Sequence, residues 1–252
     1  MVRVDSEMSF KTPIGILRLL IIIAILFTVA LLQVFVGQLS PNWIFLSGSA
    51  MIAVLALLNF VDKKEDTNWS RFTLFMFLAM LVCFIADLLL AGVFYIIPGE
   101  SLINGVLFFI IGHVFYIFAL RNRSSLFLRS ETPRLITRNL AIWIVGIIGV
   151  FVLVFFTLYD PAELVISVGF FGYGIFLISS LVFSITKWFD DFPKIFSLCL
   201  IIGFLLFFIS DYILGYKILI DSGVLSGIEA VGVTYLLGQM TIHLSSIVGT
   251  EA

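Results

Sequence analysis

Residues 72–96 read FTLFMFLAMLVCFIADLLLAGVFYI, and a single acid, Asp87, interrupts an otherwise uncharged run. About 20 apolar residues carry a helix across the hydrocarbon of a bilayer, so this stretch has the length and composition of a membrane span. Seven others resemble it: Ile14–Val36, Trp43–Val61, Leu102–Leu120, Leu140–Leu158, Leu164–Ile185, Ile195–Tyr216 and Ile228–Val248. The chain as a whole is 62% hydrophobic and 12% charged, whereas soluble domains run at about 45–50% apolar and about 25% charged. The expected fold is therefore all-α, a polytopic membrane helix bundle of eight transmembrane helices forming one integral membrane domain over 1–252. Almost nothing is left for a water-soluble domain, so any function has to live in the bundle. The first span is too long for a signal-peptide core and no small-residue cleavage site follows it, so it is expected to persist as a helix. Cys83 and Cys199 both fall inside spans, which suits packing better than a disulfide or a metal site.

Lys and Arg near span ends favour the cytoplasmic side. With eight spans, every basic residue except Lys217 falls on one face: Arg3, Lys11 and Arg18; Lys63, Lys64 and Arg71; Arg121, Arg123, Arg129, Arg134 and Arg138; Lys187 and Lys194. Both termini are therefore expected in the cytoplasm, with the cell membrane as location. The arginine-rich loop from Arg121 to Arg138 is better explained by topology and contact with anionic lipid than by nucleic acid. Trp69, Trp143 and Trp188 near inner ends and Trp43 near an outer end read as interfacial anchors.

Two short runs answer each other. Phe84-Ile85-Ala86-Asp87 aligns with Phe208-Ile209-Ser210-Asp211, with the acids 124 residues apart, and Leu90 answers Leu214. Each acid lies on the third helix of four, and the fourth then carries Gly112-His113 or Gly238-Gln239. This is the pattern of a parallel four-helix repeat, although apolar helices also resemble one another by chance.

The acids share a depth. Asp87 lies 16 residues after Arg71 and Asp211 17 after Lys194, which places each roughly 24–26 Å from its inner basic anchor. Tyr235, six residues after Glu229, lies about 9 Å in from the outside, and Gln239 one turn deeper. His113 is about 12 Å from Arg121, and Tyr116 shares its helix face. The polar residues thus form a column from the outer layer past the midplane, while His243 reads as interfacial. An ionised Asp at a helix centre costs about 2.5–3.5 kcal/mol on insertion scales, so both acids are expected to face the interior, either as helix-bonding groups or as the lining of a functional cavity.

Asp87 on its third span, GVLFFIIGHVFYIFAL from Gly105 to Leu120, GFLLFFISD from Gly203 to Asp211, and Tyr235 with Gln239 in VTYLLGQMTIHLSS together resemble the YhhN family of eight-span membrane proteins, which includes the animal lysoplasmalogenases. The likeness is carried by spans three, four, seven and eight. Ala86 precedes Asp87 where family members commonly carry Gly, and the second span, with LSGSAMIAVLALL, lacks their Lys-Pro. The resemblance implies hydrolysis of the vinyl-ether bond of a lysophospholipid-like amphiphile by water, giving a fatty aldehyde and a glycerophospho-alcohol.

That chemistry suits the residues. A vinyl ether opens when its outer alkene carbon is protonated, and water captures the resulting oxocarbenium ion. A protonated and an ionised carboxyl serve such a reaction as they do in glycosidases, and low dielectric with a like charge nearby disfavours ionisation of both. Asp87 is expected as general acid and Asp211 as base or electrostatic partner, with His113, Tyr116, Tyr235 and Gln239 binding substrate or positioning water. No metal or other cofactor is expected, since a single His stands at this layer. A proton-coupled transporter also uses intramembrane acids, but all eight span interiors lack Pro. Intramembrane aspartyl proteases carry a Gly-x-Gly-Asp pattern missing here, and a non-catalytic lipid-binding protein is the remaining alternative.

Overall fold

The computed structural model describes residues 12–34, 41–67, 69–121, 133–161, 164–189, 192–220 and 230–249. They form eight helices and no strand: α1 (Pro13–Val34), α2 (Pro41–Lys63), α3 (Ser70–Leu90), α4 (Ser101–Arg121), α5 (Pro133–Thr157), α6 (Leu164–Trp188), α7 (Lys194–Leu219) and α8 (Ala230–Val248). Every one is long and apolar enough to cross a membrane. The chain is a multi-pass membrane protein, as its composition requires. Arg3, Lys11, Arg123, Arg129 and Glu229 lie outside the described residues.

Local chemistry shifts several helix ends. α1, α2 and α5 each begin on a proline, whose fixed φ and missing N–H suit the first helical position. α3 stops at Leu90, six residues before the expected Ile96. Gly92 adopts φ 71°; its N–H donates to the Leu89 carbonyl at 3.0 Å and that of Val93 to the Leu88 carbonyl at 3.0 Å. This is a Schellman termination, in which a left-handed glycine turns the chain out of the helix and satisfies the last carbonyls. The loop beyond is fixed by Asn104, whose side chain accepts from Ile97 N at 2.9 Å and donates to Ile97 O at 2.8 Å.

The most extensive helix contacts join α3 to α4 and α7 to α8, and glycines set both. A Cβ at Gly112 would lie 2.6 Å from Cys83 Sγ; one at Gly203 would lie 2.8 Å from Ile242 N, and one at Gly238 2.9 Å from Gly203 O. Small residues let helix backbones approach this closely in a membrane. The remaining contacts repeat as the sequence does. α1–α2, α2–α3 and α2–α8 have counterparts in α5–α6, α6–α7 and α6–α4. The symmetry breaks at the first helix of each half, because α1 packs on α8 whereas, among the described residues, α5 makes no comparable contact with α4. Instead, Val150 and Val154 of α5, with Leu158 just beyond its end, form a small apolar cluster with residues that include Tyr212 and Tyr216 of α7.

Two residues assigned to the membrane surface are part of the interior. Trp69 is only 7% exposed and packs on Phe72, Phe192 and Phe196. Arg18 is buried, with Nη2 3.1 Å from Asp62 Oδ2 and 3.2 Å from the Leu58 carbonyl. Its charge is balanced inside the α1–α2 contact, which composition could not disclose. Trp43, by contrast, is exposed.

Candidate functional site

Asp87 sits in the last turn of α3, just ahead of the Schellman turn, and is 1% exposed. Its Oδ2 accepts from the Ser49 hydroxyl of α2 and, at 2.8 Å, from the Tyr235 hydroxyl of α8. Three helices therefore meet on one carboxyl oxygen, while Oδ1 is buried without a hydrogen-bond partner. Asp211 of α7 has a matching arrangement, since its Oδ2 accepts from the Tyr173 hydroxyl of α6. Ser49 and Tyr173 are themselves 124 residues apart, as the two acids are. The repeat thus extends beyond the apolar helices to the hydroxyl that holds each acid. It fails at the third group. Aligning Gly112 with Gly238 puts Phe109 of α4 in the place of Tyr235, and a phenyl ring has no hydroxyl to donate.

The acids share no hydrogen-bond partner. Aromatic rings join their surroundings: the Phe109 ring lies 6.4 Å from Tyr173 and 6.0 Å from Tyr235, and Phe207 lies 5.2 Å from Tyr235. Asp211, 6% exposed, lines a narrow hollow together with Leu90, Val106, Phe170, Tyr173 and Leu214. Asp87 is outside this hollow. The space, about 10 Å³, is near the lower limit for one water. Hydroxyls from different helices hold each acid, those of α2 and α8 at Asp87 and that of α6 at Asp211.

The other expected site residues form the next layer. Tyr116 donates to Gln239 Oε1 at 2.6 Å and lies 3.2 Å from His243 Nε2. His113 Nδ1 is 2.9 Å from Ser180 Oγ, and its ring centroid lies 4.8 Å from that of Phe207. Tyr116 and His113 share an inward face, with rings 5.9 Å apart. His243 is a correction. It is fully buried rather than interfacial, and its ring, like that of His113, lies beside Tyr116. Its backbone carbonyl accepts from Asn59 Nδ2 at 3.0 Å. Tyr235, Gln239 and His243 thus recur every fourth residue on one face of α8, a spacing visible in the sequence. Ser49, Tyr173 and Ser180 were missed because a lone hydroxyl in an apolar span gives no signal beyond, for the first two, the repeat offset. His113 Nε2 and His243 Nδ1 are, like Asp87 Oδ1, buried without a partner. Each such atom costs about 1–3 kcal/mol.

No curated protein and no solved structure matches the chain. Residues 43–246 match the family model described as the YhhN family.

Proposed function

The chain belongs to the YhhN family, and on that premise we propose that it is a membrane-embedded hydrolase that cleaves the vinyl-ether bond of a lysophospholipid. The observation that supports this best is the pair of transmembrane acids at equivalent positions of a repeat, each held by a hydroxyl within one polar and aromatic cluster. One carboxyl transfers a proton to the outer alkene carbon, which breaks the π bond and leaves an oxocarbenium ion. The other takes a proton from water as its oxygen adds to that cation. The hemiacetal then collapses to a fatty aldehyde and a glycerophospho-alcohol. Division of two carboxyls between acid and base follows the logic of glycosidases.

Their surroundings support assigning the proton donor to Asp211 and the acceptor to Asp87, the reverse of the expectation from sequence. Asp211 has one hydroxyl partner and faces the hollow, whereas Asp87 holds two donors suited to a carboxylate. His113 and the Tyr116–Gln239 pair would order water and the substrate's polar part. Since the hollow is water-sized, admitting a lipid requires the side chains of Leu90, Val106 and Leu214 to part. The bias of basic residues supports cytoplasmic termini.

A proton-coupled transporter is the second reading, favoured by the ladder of Tyr235, Gln239 and His243 along α8. The test is to offer purified protein vinyl-ether and ester lysophospholipids. Aldehyde released only from the vinyl ether, and lost in Asp87→Asn and in Asp211→Asn, is expected. No product from either lipid, with proton uptake coupled to solute in proteoliposomes, would replace hydrolysis with transport.

A further inference from the structure

Five of the polar side-chain atoms that are buried without a hydrogen-bond partner among the described residues fall along one file: Asp87 Oδ1, Gln239 Nε2, His243 Nδ1, Asn59 Oδ1 and Arg18 Nε. The groups that carry them are joined step by step. α2 and α8 run in the same direction, since Ser49 and Tyr235 reach the same Asp87 oxygen and, further along both helices, Asn59 Nδ2 donates to the His243 carbonyl at 3.0 Å. Between those levels Tyr116 of α4 joins Gln239 to His243. Beyond them Arg18 of α1 donates to the carbonyl of Leu58, next to Asn59, and pairs with Asp62. By helix rise, Gln239 and His243 lie about 6 and about 12 Å along α8 from Tyr235, and Asn59 and Asp62 about 15 and about 20 Å along α2 from Ser49. The file therefore starts at the enclosed acid and ends where Asp62 and Lys64 are exposed.

The polarity of these atoms selects what satisfies them. Tyr116 gives its one proton to Gln239 Oε1, so His243 Nε2 carries the hydrogen shared with the phenol, and Nδ1 is the acceptor of a neutral ring. The file thus presents three acceptors, Asp87 Oδ1, His243 Nδ1 and Asn59 Oδ1, and two donors, Gln239 Nε2 and Arg18 Nε. Buried polar atoms in native proteins find a partner in protein or in bound water, and water both donates and accepts. Successive groups stand about 3–6 Å apart along the helix axes, a spacing bridged by one or two waters. We propose that these side chains hold a file of bound water that carries protons between Asp87 and the Arg18–Asp62 end of the bundle. In the hydrolysis described above Asp87 takes a proton from water at each turnover, and with no partner shared with Asp211 it needs a route for losing it. The protonated carboxyl gives that proton to the first water, each water passes one to the next, and the last releases one to solvent beside Asp62. Asp87 returns as carboxylate, solvent restores one proton to Asp211, and no other group is changed. The need for this release rests on the proposed hydrolase reading; the water file does not. Asn59 and His243 are its positioning residues.

The experiment uses the full chain in nanodiscs. Radiolytic hydroxyl labelling, read by mass spectrometry, marks side chains that touch bound water even where they are buried. Tyr116 and His243 are expected to label faster than Trp69 and Phe196, which are also buried but packed ring on ring. Asn59→Leu removes an acceptor from the file and should reduce His243 labelling to the level of Phe196. Ala56→Leu should do the same with every polar group kept, because Ala56 is buried on the α2 face that carries Ser49 and Asn59. Thr28→Val, which removes a hydroxyl bonded within its own helix, should leave labelling unchanged. With a vinyl-ether lysophospholipid, rapid quenching of both leucine variants should show an unslowed burst of about one aldehyde per chain, followed by a steady rate lowered about tenfold. A first turnover slowed as much as the steady rate would mark a structural defect and overturn the proton route. Labelling of Tyr116 and His243 no faster than that of Phe196, or unchanged in both leucine variants, would overturn the water file itself. A labelled file in a protein that releases no aldehyde would retain the file and remove the hydrolase reading. Aldehyde release from an unlabelled file would do the opposite.

Discussion

Two hydroxyls meet on one oxygen of Asp87, and that oxygen belongs to the last turn of α3, so the acid's position depends on α2 and α8 as much as on its own helix. Tyr235→Phe removes one donor from this buried group and is expected to cost about 1–3 kcal/mol of stability, measured by thermal unfolding in detergent. Tyr173→Phe does the same to Asp211, which has no second hydroxyl, and is expected to lower aldehyde release more than Tyr235→Phe does. Asp87→Asn and Asp211→Asn each remove a proton-transferring group and should reduce turnover about 10²–10⁴-fold with the bundle still folded. If either variant retains full turnover, the paired-carboxyl chemistry fails. The acids themselves were evident as isolated charges in apolar spans. Their hydroxyl partners were not, because any apolar helix can carry a Ser or Tyr at no cost if a neighbouring helix receives it.

Within the elements, glycine acts in two different ways. At Gly92 the backbone needs a left-handed φ of 71°, which costs a side-chain-bearing residue about 1–2 kcal/mol. A Cβ there would also lie 2.7 Å from Tyr95 Oη. Gly92→Val is therefore expected to fray the end of α3 and raise hydrogen exchange at Ala91 and Val93, loosening the turn that carries Asp87. At Gly203 and Gly238 the dihedrals are ordinary and the constraint is steric, since a Cβ at either would come within 3 Å of backbone atoms on the facing helix. Gly203→Leu should separate α7 from α8 and prevent recovery of monodisperse protein, whereas Gly149→Leu changes stability by no more than about 0.5 kcal/mol. Hydropathy finds these helices but not their ends: the apolar run past Leu90 continues to Ile97, and a single glycine conformation decides that the helix does not.

Across the whole molecule the main helix contacts follow the repeat except at α1 and α5, while the polar interior follows it at the two acids and the hydroxyl holding each but not at Tyr235, whose place Phe109 takes. The basic bias predicts which face meets the cytoplasm. A cysteine at Glu100, in the α3–α4 loop, should react with an impermeant maleimide on intact cells; one at Lys64, in the α2–α3 loop, should react only after permeabilisation, both in a background without Cys83 and Cys199. The reverse pattern would invert the orientation. Arg18 contributes to that bias only as sequence. In the fold it pairs with Asp62, and Arg18→Met is expected to destabilise the α1–α2 contact by removing that ion pair, leaving Asp62 with Lys63 Nζ at 3.5 Å.

Length and hydropathy by themselves determined eight membrane helices, because a bilayer of fixed thickness accepts few other solutions for so apolar a chain. The sequence also placed two acids at one offset and the polar face of α8 at four-residue intervals, since both are properties of order along a helix. Tertiary structure alone decided which hydroxyl holds each acid, that His243, Trp69 and Arg18 lie inside, and that α5 does not pack as α1 does. Those outcomes depend on how helices distant in sequence rotate and lean against one another, and in lipid that is governed by close packing and polar pairing between faces, with no hydropathy difference to reveal them beforehand.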